Sequence, residues 1–239
     1  MTEQETINFD AGQILLVDKP LNWTSFQVVN KLRYPLKHFY KKKKFKVGHA
    51  GTLDPLATGL LVICTGKMTK QITSFIQDEK RYTGTIQLGA TTPSFDLETE
   101  IDATFPTEHI TAELVEKVRL SFLGEQLQTP PIFSAKQING KRAYEYARKG
   151  ETVEMKKALI TINSLELELI GDQLKFSISS SKGTYIRSLA FDIGKALESG
   201  AHLIELRRTQ SGAFKIEDSK SIEEWLEVIK EKATLEVID

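Results

Sequence analysis

A single cysteine, Cys64, stands among 239 residues, so no disulfide can form within the chain. A disulfide-stapled secreted fold is excluded on that ground, and the cytosol is the default compartment. The longest apolar run, Leu60-Leu61-Val62-Ile63-Cys64, is far too short to span a membrane. The start, Met1-Thr2-Glu3-Gln4-Glu5, lacks the basic residues and apolar stretch of a secretory signal. Neither sign of charge is in excess, with 32 basic and 32 acidic residues, so the sum carries no nucleic-acid signature. Four scattered histidines and one cysteine offer no HxxxH or CxxC spacing, and no metal site is expected. GxGxxG and GxxxxGK[ST] phosphate loops are absent, which argues against a doubly wound nucleotide fold. No repeat or linker-like segment appears either, so one continuous domain over residues 1–239 is expected.

What is present is unevenly distributed. Lys37 to Lys46 holds six lysines and no acid, with Phe39, Tyr40 and Phe45 interleaved, a pattern suited to phosphate and base contacts. From Glu217 onward the chain is rich in acids. Short strands are expected at Ile14 to Val17 and Leu60 to Cys64, an alternating strand at Tyr82 to Leu88, and another at His202 to Arg208. Ile160 to Ile170, Gly171-Asp172 and Leu174 to Ser179 read as a long β-hairpin. Thr24 with Gln27, and Ser221 with Glu224, are capping boxes that open helices. The first of these helices is expected to end before Pro35. The second, at about 221–232, buries Ile222, Trp225, Leu226 and Ile229. Further helices are expected from Lys67 to Ile76, Thr111 to Phe122 and Ala143 to Lys149, and from a Thr184 cap to Leu197. Strands and helices mix without strict alternation. The expected class is α+β, a mixed or antiparallel central sheet flanked by helices.

The most unusual stretch is Gly48-His49-Ala50-Gly51-Thr52-Leu53-Asp54-Pro55-Leu56-Ala57-Thr58-Gly59-Leu60-Leu61. A loop this rich in glycine bends tightly and lets a ligand approach its backbone. A lone carboxylate, Asp54, sits at its centre between leucines that anchor it. Asp-Pro by itself is a common turn dipeptide; the glycines and leucines around it are not what a surface turn requires.

This stretch resembles the catalytic loop of the TruB family of pseudouridine synthases, bacterial type, which act on the T loop of transfer RNA. Further blocks resemble the family in its own order. They are Leu15-Leu16-Val17-Asp18-Lys19-Pro20 with Thr24-Ser25, Asp78-Glu79-Lys80-Arg81-Tyr82, Ser134 to Arg148, Ser181-Lys182-Gly183-Thr184-Tyr185-Ile186-Arg187-Ser188, and Gly200 to Thr209. Together they cover about 14–214.

The resemblance implies a pseudouridine synthase fold and isomerisation of uridine 55 of tRNA to pseudouridine. It makes Asp54 the catalytic carboxylate, with Tyr82 stacking on the target base and Arg187 as the adjacent cation. An ionised carboxylate in a site closed to water needs such a cation. His49 matches the residue that fills the gap left by the flipped base, and Tyr185 and Leu206 match walls of the base pocket. Lys19, Lys70 and Asp96 are further candidates for substrate contacts. Lys136, Lys141, Arg142, Arg148, Arg207, Arg208 and the 41–46 lysines are candidates for phosphates. The chemistry is redox-neutral and uses no group donor, so no cofactor is expected. Three routes for Asp54 stay open: addition to the base, addition to C1′, or removal of a sugar proton. Expected partners are the tRNA T arm alone, with no membrane, no obligatory protein partner and a monomeric state. Only about two dozen residues follow Phe214, so the C-terminal PUA-like module of longer relatives is expected to be lacking. A tRNA-binding folding chaperone, with modification secondary, is the alternative; it would have little use for a carboxylate facing RNA phosphates. Cys64, inside an apolar run, reads as a core residue.

Overall fold

The computed structural model describes residues 7–76, 79–134, 136–138, 140–151 and 153–235. Asp78, Ala135 and Asn139 of the blocks above, the N-terminal Met1 to Thr6, and the tail after Leu235 lie outside the described residues. The chain begins with β1 (Ile14–Lys19), α1 (Ser25–Phe39), β2 (Val47–His49) and β3 (Ala57–Thr65). A 3-10 helix (Gly66–Gln71) leads into α2 (Ile72–Ile76) and β4 (Lys80–Leu88). Next come β5 (Ala90–Thr91), β6 (Ala103–Thr104), α3 (Ala112–Ser121), β7 (Gly124–Gln128), β8 (Gln137–Ile138), β9 (Lys141–Arg142) and α4 (Ala143–Ala147). The chain continues with β10 (Ala158–Ile170), β11 (Gln173–Ser180), α5 (Ile186–Ala196), β12 (Ala201–Ser211), β13 (Phe214–Lys215) and α6 (Ile222–Leu235). The class is α+β, as expected.

Two compact units are present: Met1–Lys80 with Arg207–Asp239, and Arg81–Leu206. The boundaries fall inside strands β4 and β12, which is why no linker composition marks them.

In the first unit, β3 is flanked by β1 and β12, with β2 also on β3 and β13 on β12. β1 and β3 run antiparallel from Ile14↔Cys64 to Lys19↔Gly59. α1 lays Val28, Val29, Leu32 and Leu36 against Leu15, Val17, Leu61 and Ile63, and α6 adds Ile222 and Ile229. Its capping box forms as expected, with Thr24 and Gln27 bonding reciprocally. The helix does not stop before Pro35 but carries it inside and runs on to Phe39. Proline forfeits one i→i−4 bond, and here burial outweighs that loss. Leu36 on the far side is wholly buried, and its carbonyl still accepts the Tyr40 N–H. The Ser221 box also forms, and Trp225 Nε1 donates to Leu16 O at 2.8 Å.

In the second unit the strand order is β12-β4-β11-β10-β7. The β10–β11 hairpin turns at Gly171, whose φ is +61°. Its apolar face (Ile160, Ile162, Leu165, Leu174, Phe176, Ile178) packs with Val115 and Val118 of α3 and with Ile186, Leu189 and Ile193 of α5. Lys67 to Ile76 is part 3-10 and part α, and none of α2 is buried, so little packing enforces a regular helix there. Tyr185, not Thr184, caps α5, because the Thr184 hydroxyl is donated backward to Ser181 O.

Candidate active site

In the first unit the motif loop fills the space between β2, which ends at His49, and β3, which opens at Ala57. Its backbone is tied down on both sides of Asp54. The Ser25 hydroxyl accepts the Leu53 N–H at 2.9 Å and donates to the Leu53 carbonyl at 3.0 Å. Pro55 O accepts the Asn22 N–H at 2.9 Å, and the Asp54 carbonyl accepts the Ala57 N–H at 3.1 Å. Leu53 is buried, and Asp54 is half-buried. The loop is therefore a braced platform that presents one carboxylate.

Lys19 is fully buried, and its Nζ donates to Trp23 O at 2.6 Å, Pro20 O at 2.9 Å and Pro55 O at 3.4 Å. The ammonium thus ties the backbone at Pro20 and Trp23 to Pro55 of the loop. Burial lowers its pKa to about 8, against the charges of Asp54 and Asp18, which raise it. Arg208, expected on phosphates, is buried as well and donates to Leu60 O at 2.7 Å and Gly51 O at 3.1 Å. His49 Nδ1 is buried and finds no hydrogen-bond partner among the described residues. Burial, then the Arg208 charge, lowers its pKa below the usual histidine value, although a bond to the Gly51 backbone opposes this. Lys70 is exposed on the 3-10 helix, free of any packing demand that would explain it.

The second unit holds the other candidates. Arg187 lies in the first turn of α5 and is buried, not a surface helix arginine. Its Nη1 donates to Ser94 O at 3.1 Å and its Nη2 to Phe133 O at 2.9 Å, and its Nε lies 3.5 Å from Asp96 Oδ2. Asp96 is thus the buried counter-ion of Arg187, and its Oδ1 also accepts the Glu98 N–H. Phe95, just before it, takes φ +63°, a conformation rare for an aromatic residue. Stacking on Phe191, with centroids 4.3 Å apart, supports it there. Tyr185 is fixed by a pair of bonds between its backbone and the Gln128 amide, at 2.8 and 3.1 Å. Tyr82 and Leu206 are half-buried at the margin of the unit's core, where a ring or an isobutyl group can wall a pocket.

The basic candidates divide by exposure. Lys41 to Lys44 are exposed, with Lys42 paired to Asp10. Arg207 is held bidentate by Asp18 at 2.7 and 3.0 Å. Lys141 and Arg148 lie over the rings of Tyr146 and Tyr144. Cys64 is buried in β3, and burial pushes its thiol up to about 11, so it is no nucleophile. Among the described residues no helix is long and apolar enough to cross a membrane, and no group of three metal-ligating side chains is assembled.

Sequence reasoning missed Ser25, Asn22, Gln128, Ser94 and Phe133. Of these only Ser25 carried a signal: a second hydroxyl directly after a competent N-cap has no helix-capping task.

Known proteins share this sequence and fold. The family model described as TruB family pseudouridylate synthase (N terminal domain) matches residues 37–186. The one described as tRNA pseudouridylate synthase B C-terminal domain matches residues 187–237. A protein of Phocaeicola vulgatus named tRNA pseudouridine synthase B is 56% identical over 98% of this chain and 100% of its own length. Among solved structures, the chain is similar to one in a Cbf5-Nop10-Gar1 complex, with TM-score 0.64 and 29% identity over 87% of this chain. Similarity extends to an H/ACA RNP bound to a substrate RNA containing 2′-deoxyuridine, with TM-score 0.63 and 26% identity over 90% of this chain. The chain spans about half the length of those two solved chains, 50% and 52%. The fold is that of a pseudouridine synthase. Within that class, the chain belongs to the TruB family.

Proposed function

We propose that this chain converts uridine 55, in the T loop of transfer RNA, to pseudouridine, with the Asp54 carboxylate as the catalytic group. The observation that carries the reading is the motif loop, whose backbone is fixed at Leu53, Asp54 and Pro55 while Asp54 itself is only half-buried. The name of the 56% identical relative supports the same substrate class.

The reaction breaks the N1–C1′ bond, turns the base, and joins C5 to C1′. Electrons balance within the nucleotide, so an aspartate that adds to base or sugar, or that takes a sugar proton, is sufficient covalent chemistry. The uridine must first leave its stack, at a cost of a few kcal/mol. Tyr82 supplies a ring for the flipped base, and His49 supplies a wedge. Within the second unit two carbonyls and Asp96 hold the Arg187 guanidinium in a fixed orientation, which suits the role of a cation that the resemblance implies for it. Exposed Lys41 to Lys44 contact phosphates. The protein works as a cytosolic monomer on the T arm, without an obligatory protein partner.

Incubating the purified protein with an unmodified tRNA transcript and mapping pseudouridine tests the reading. One new pseudouridine in the T loop is expected; none, or one in another arm, rejects it.

A further inference from the structure

The motif loop is bounded by two glycines that face the same residue. A Cβ on Gly59, whose φ is +99°, would stand 2.3 Å from the Arg208 carbonyl oxygen and 2.8 Å from its amide nitrogen. Only glycine allows β3 and β12 to meet so closely there. At Gly51, with φ +96°, a Cβ would lie 3.4 Å from Nη1 of the Arg208 guanidinium. Gly59 is thus required by the close approach of the Arg208 backbone, whereas a Cβ at Gly51 would make only an ordinary contact with its side chain.

That side chain is only 1% exposed. Burying a guanidinium is expensive, and an apolar residue would fill the space at lower cost. What the arginine adds is a rigid fork with several donors. Its Nε donates to Leu60 O and its Nη2 to Gly51 O. Gly51 and Leu60 are the two stems of the segment that contains Asp54.

We propose that Arg208 is a positioning residue for catalysis: its guanidinium fastens Gly51 to Leu60 and so fixes where the intervening loop presents Asp54. This rests on the reading of Asp54 as the catalytic carboxylate. The charge of Arg208 also lowers the pKa of both Lys19 and His49, so its field reaches the ammonium behind the loop and the imidazole that leads into it.

Arg208→Met keeps much of the volume and removes the fork; Arg208→Lys keeps the charge and reaches one carbonyl at a time. For each, kcat and KM are measured on a tRNA transcript well below the melting temperature, beside amide exchange of residues 50–61. The expected result is a kcat lower by about 100-fold in Arg208→Met, with KM within about threefold of wild type. Arg208→Lys should regain less than about tenfold of that loss, because the fork and not the charge sets the geometry. Loop exchange should accelerate in both. A folded variant with kcat within about threefold of wild type overturns the inference. So does a loss confined to KM, which would make Arg208 a substrate ligand. If Arg208→Met does not fold, Arg208→Lys decides by the same criteria. In the wild type itself the Leu53 and Ala57 amides should exchange slowly, and fast exchange there also overturns the clamp. A wild type that makes no pseudouridine would sink the functional reading alone, and the exchange data would still judge the clamp.

Discussion

Ser25→Ala isolates the other brace of the loop. The Ser25 side chain is 2% exposed, and its hydroxyl satisfies both the N–H and the carbonyl of Leu53, the residue before Asp54. Alanine leaves both groups buried without that partner. Each unsatisfied buried polar group costs about 1–3 kcal/mol, and the carbonyl somewhat less than the N–H, so a total of about 2–4 kcal/mol is expected. For a chain of this size each kcal/mol moves Tm by about 2–4 °C, which gives a fall of about 4–16 °C. The helix start is not disturbed, because Thr24 is the cap and keeps its reciprocal bonds with Gln27. If the loop relaxes by about 1 Å to find water for Leu53, kcat falls by up to about 100-fold while tRNA affinity changes little. Calorimetry gives the Tm, and single-turnover kinetics at saturating protein give the rate. Ser25→Cys, similar in shape but a weak donor and acceptor, should follow Ser25→Ala rather than wild type. A Tm and a rate both indistinguishable from wild type would refute the reasoning.

Gly59→Ala should destabilise the protein by more than about 4 kcal/mol, since its Cβ would collide with the backbone of Arg208; a denaturant midpoint near wild type would contradict that close approach. Arg187→Ala should cost about 3–5 kcal/mol, because it strands buried Asp96; a joint Arg187→Ala/Asp96→Ala variant should recover part of the loss, and strict additivity of the two changes would contradict the pairing. Replacing Lys41 to Lys44 with serine should weaken tRNA binding and flatten its log–log salt slope by about 0.7–0.9 for each phosphate no longer neutralised, with the saturated rate unchanged; an unaltered slope would mean the run faces away from RNA. Lys19 has a folded pKa near 8, below the ordinary 10.5, so between those pH values the unfolded chain holds the extra proton and the unfolding free energy rises with pH. Lys19→Met should remove that rise, and an identical pH dependence in both proteins would refute the burial argument.

How far the sequence was legible depended on the range of the interaction. Capping at Thr24 and Ser221, the Gly171 turn and the alternation of β10 are set by neighbours along the chain, and they formed where their residues stood. The motif loop was legible because its glycines, proline and carboxylate crowd together. Helix α1 ran past Pro35 because a buried residue beyond the proline outweighed one missing hydrogen bond, a balance struck by tertiary packing. The backbone contacts of Lys19 and Arg208 were hidden for a related reason. A basic residue in an RNA enzyme reads as a phosphate ligand, and only the fold shows carbonyls converging on its nitrogens. Asp96 became the partner of Arg187 through residues far apart in sequence, a pairing that no local pattern encodes.

The central claim is that the braced loop exists to present the Asp54 carboxylate. Asp54→Asn keeps the shape of that side chain and removes its charge and nucleophilicity. The decisive measurement is single-turnover pseudouridine formation by pure Asp54→Asn protein on an unmodified tRNA transcript, beside its tRNA affinity and Tm. No detectable product, with affinity and melting close to wild type, is the result this account predicts. Product formed at an appreciable fraction of the wild-type rate, with contaminating enzyme excluded, would contradict it.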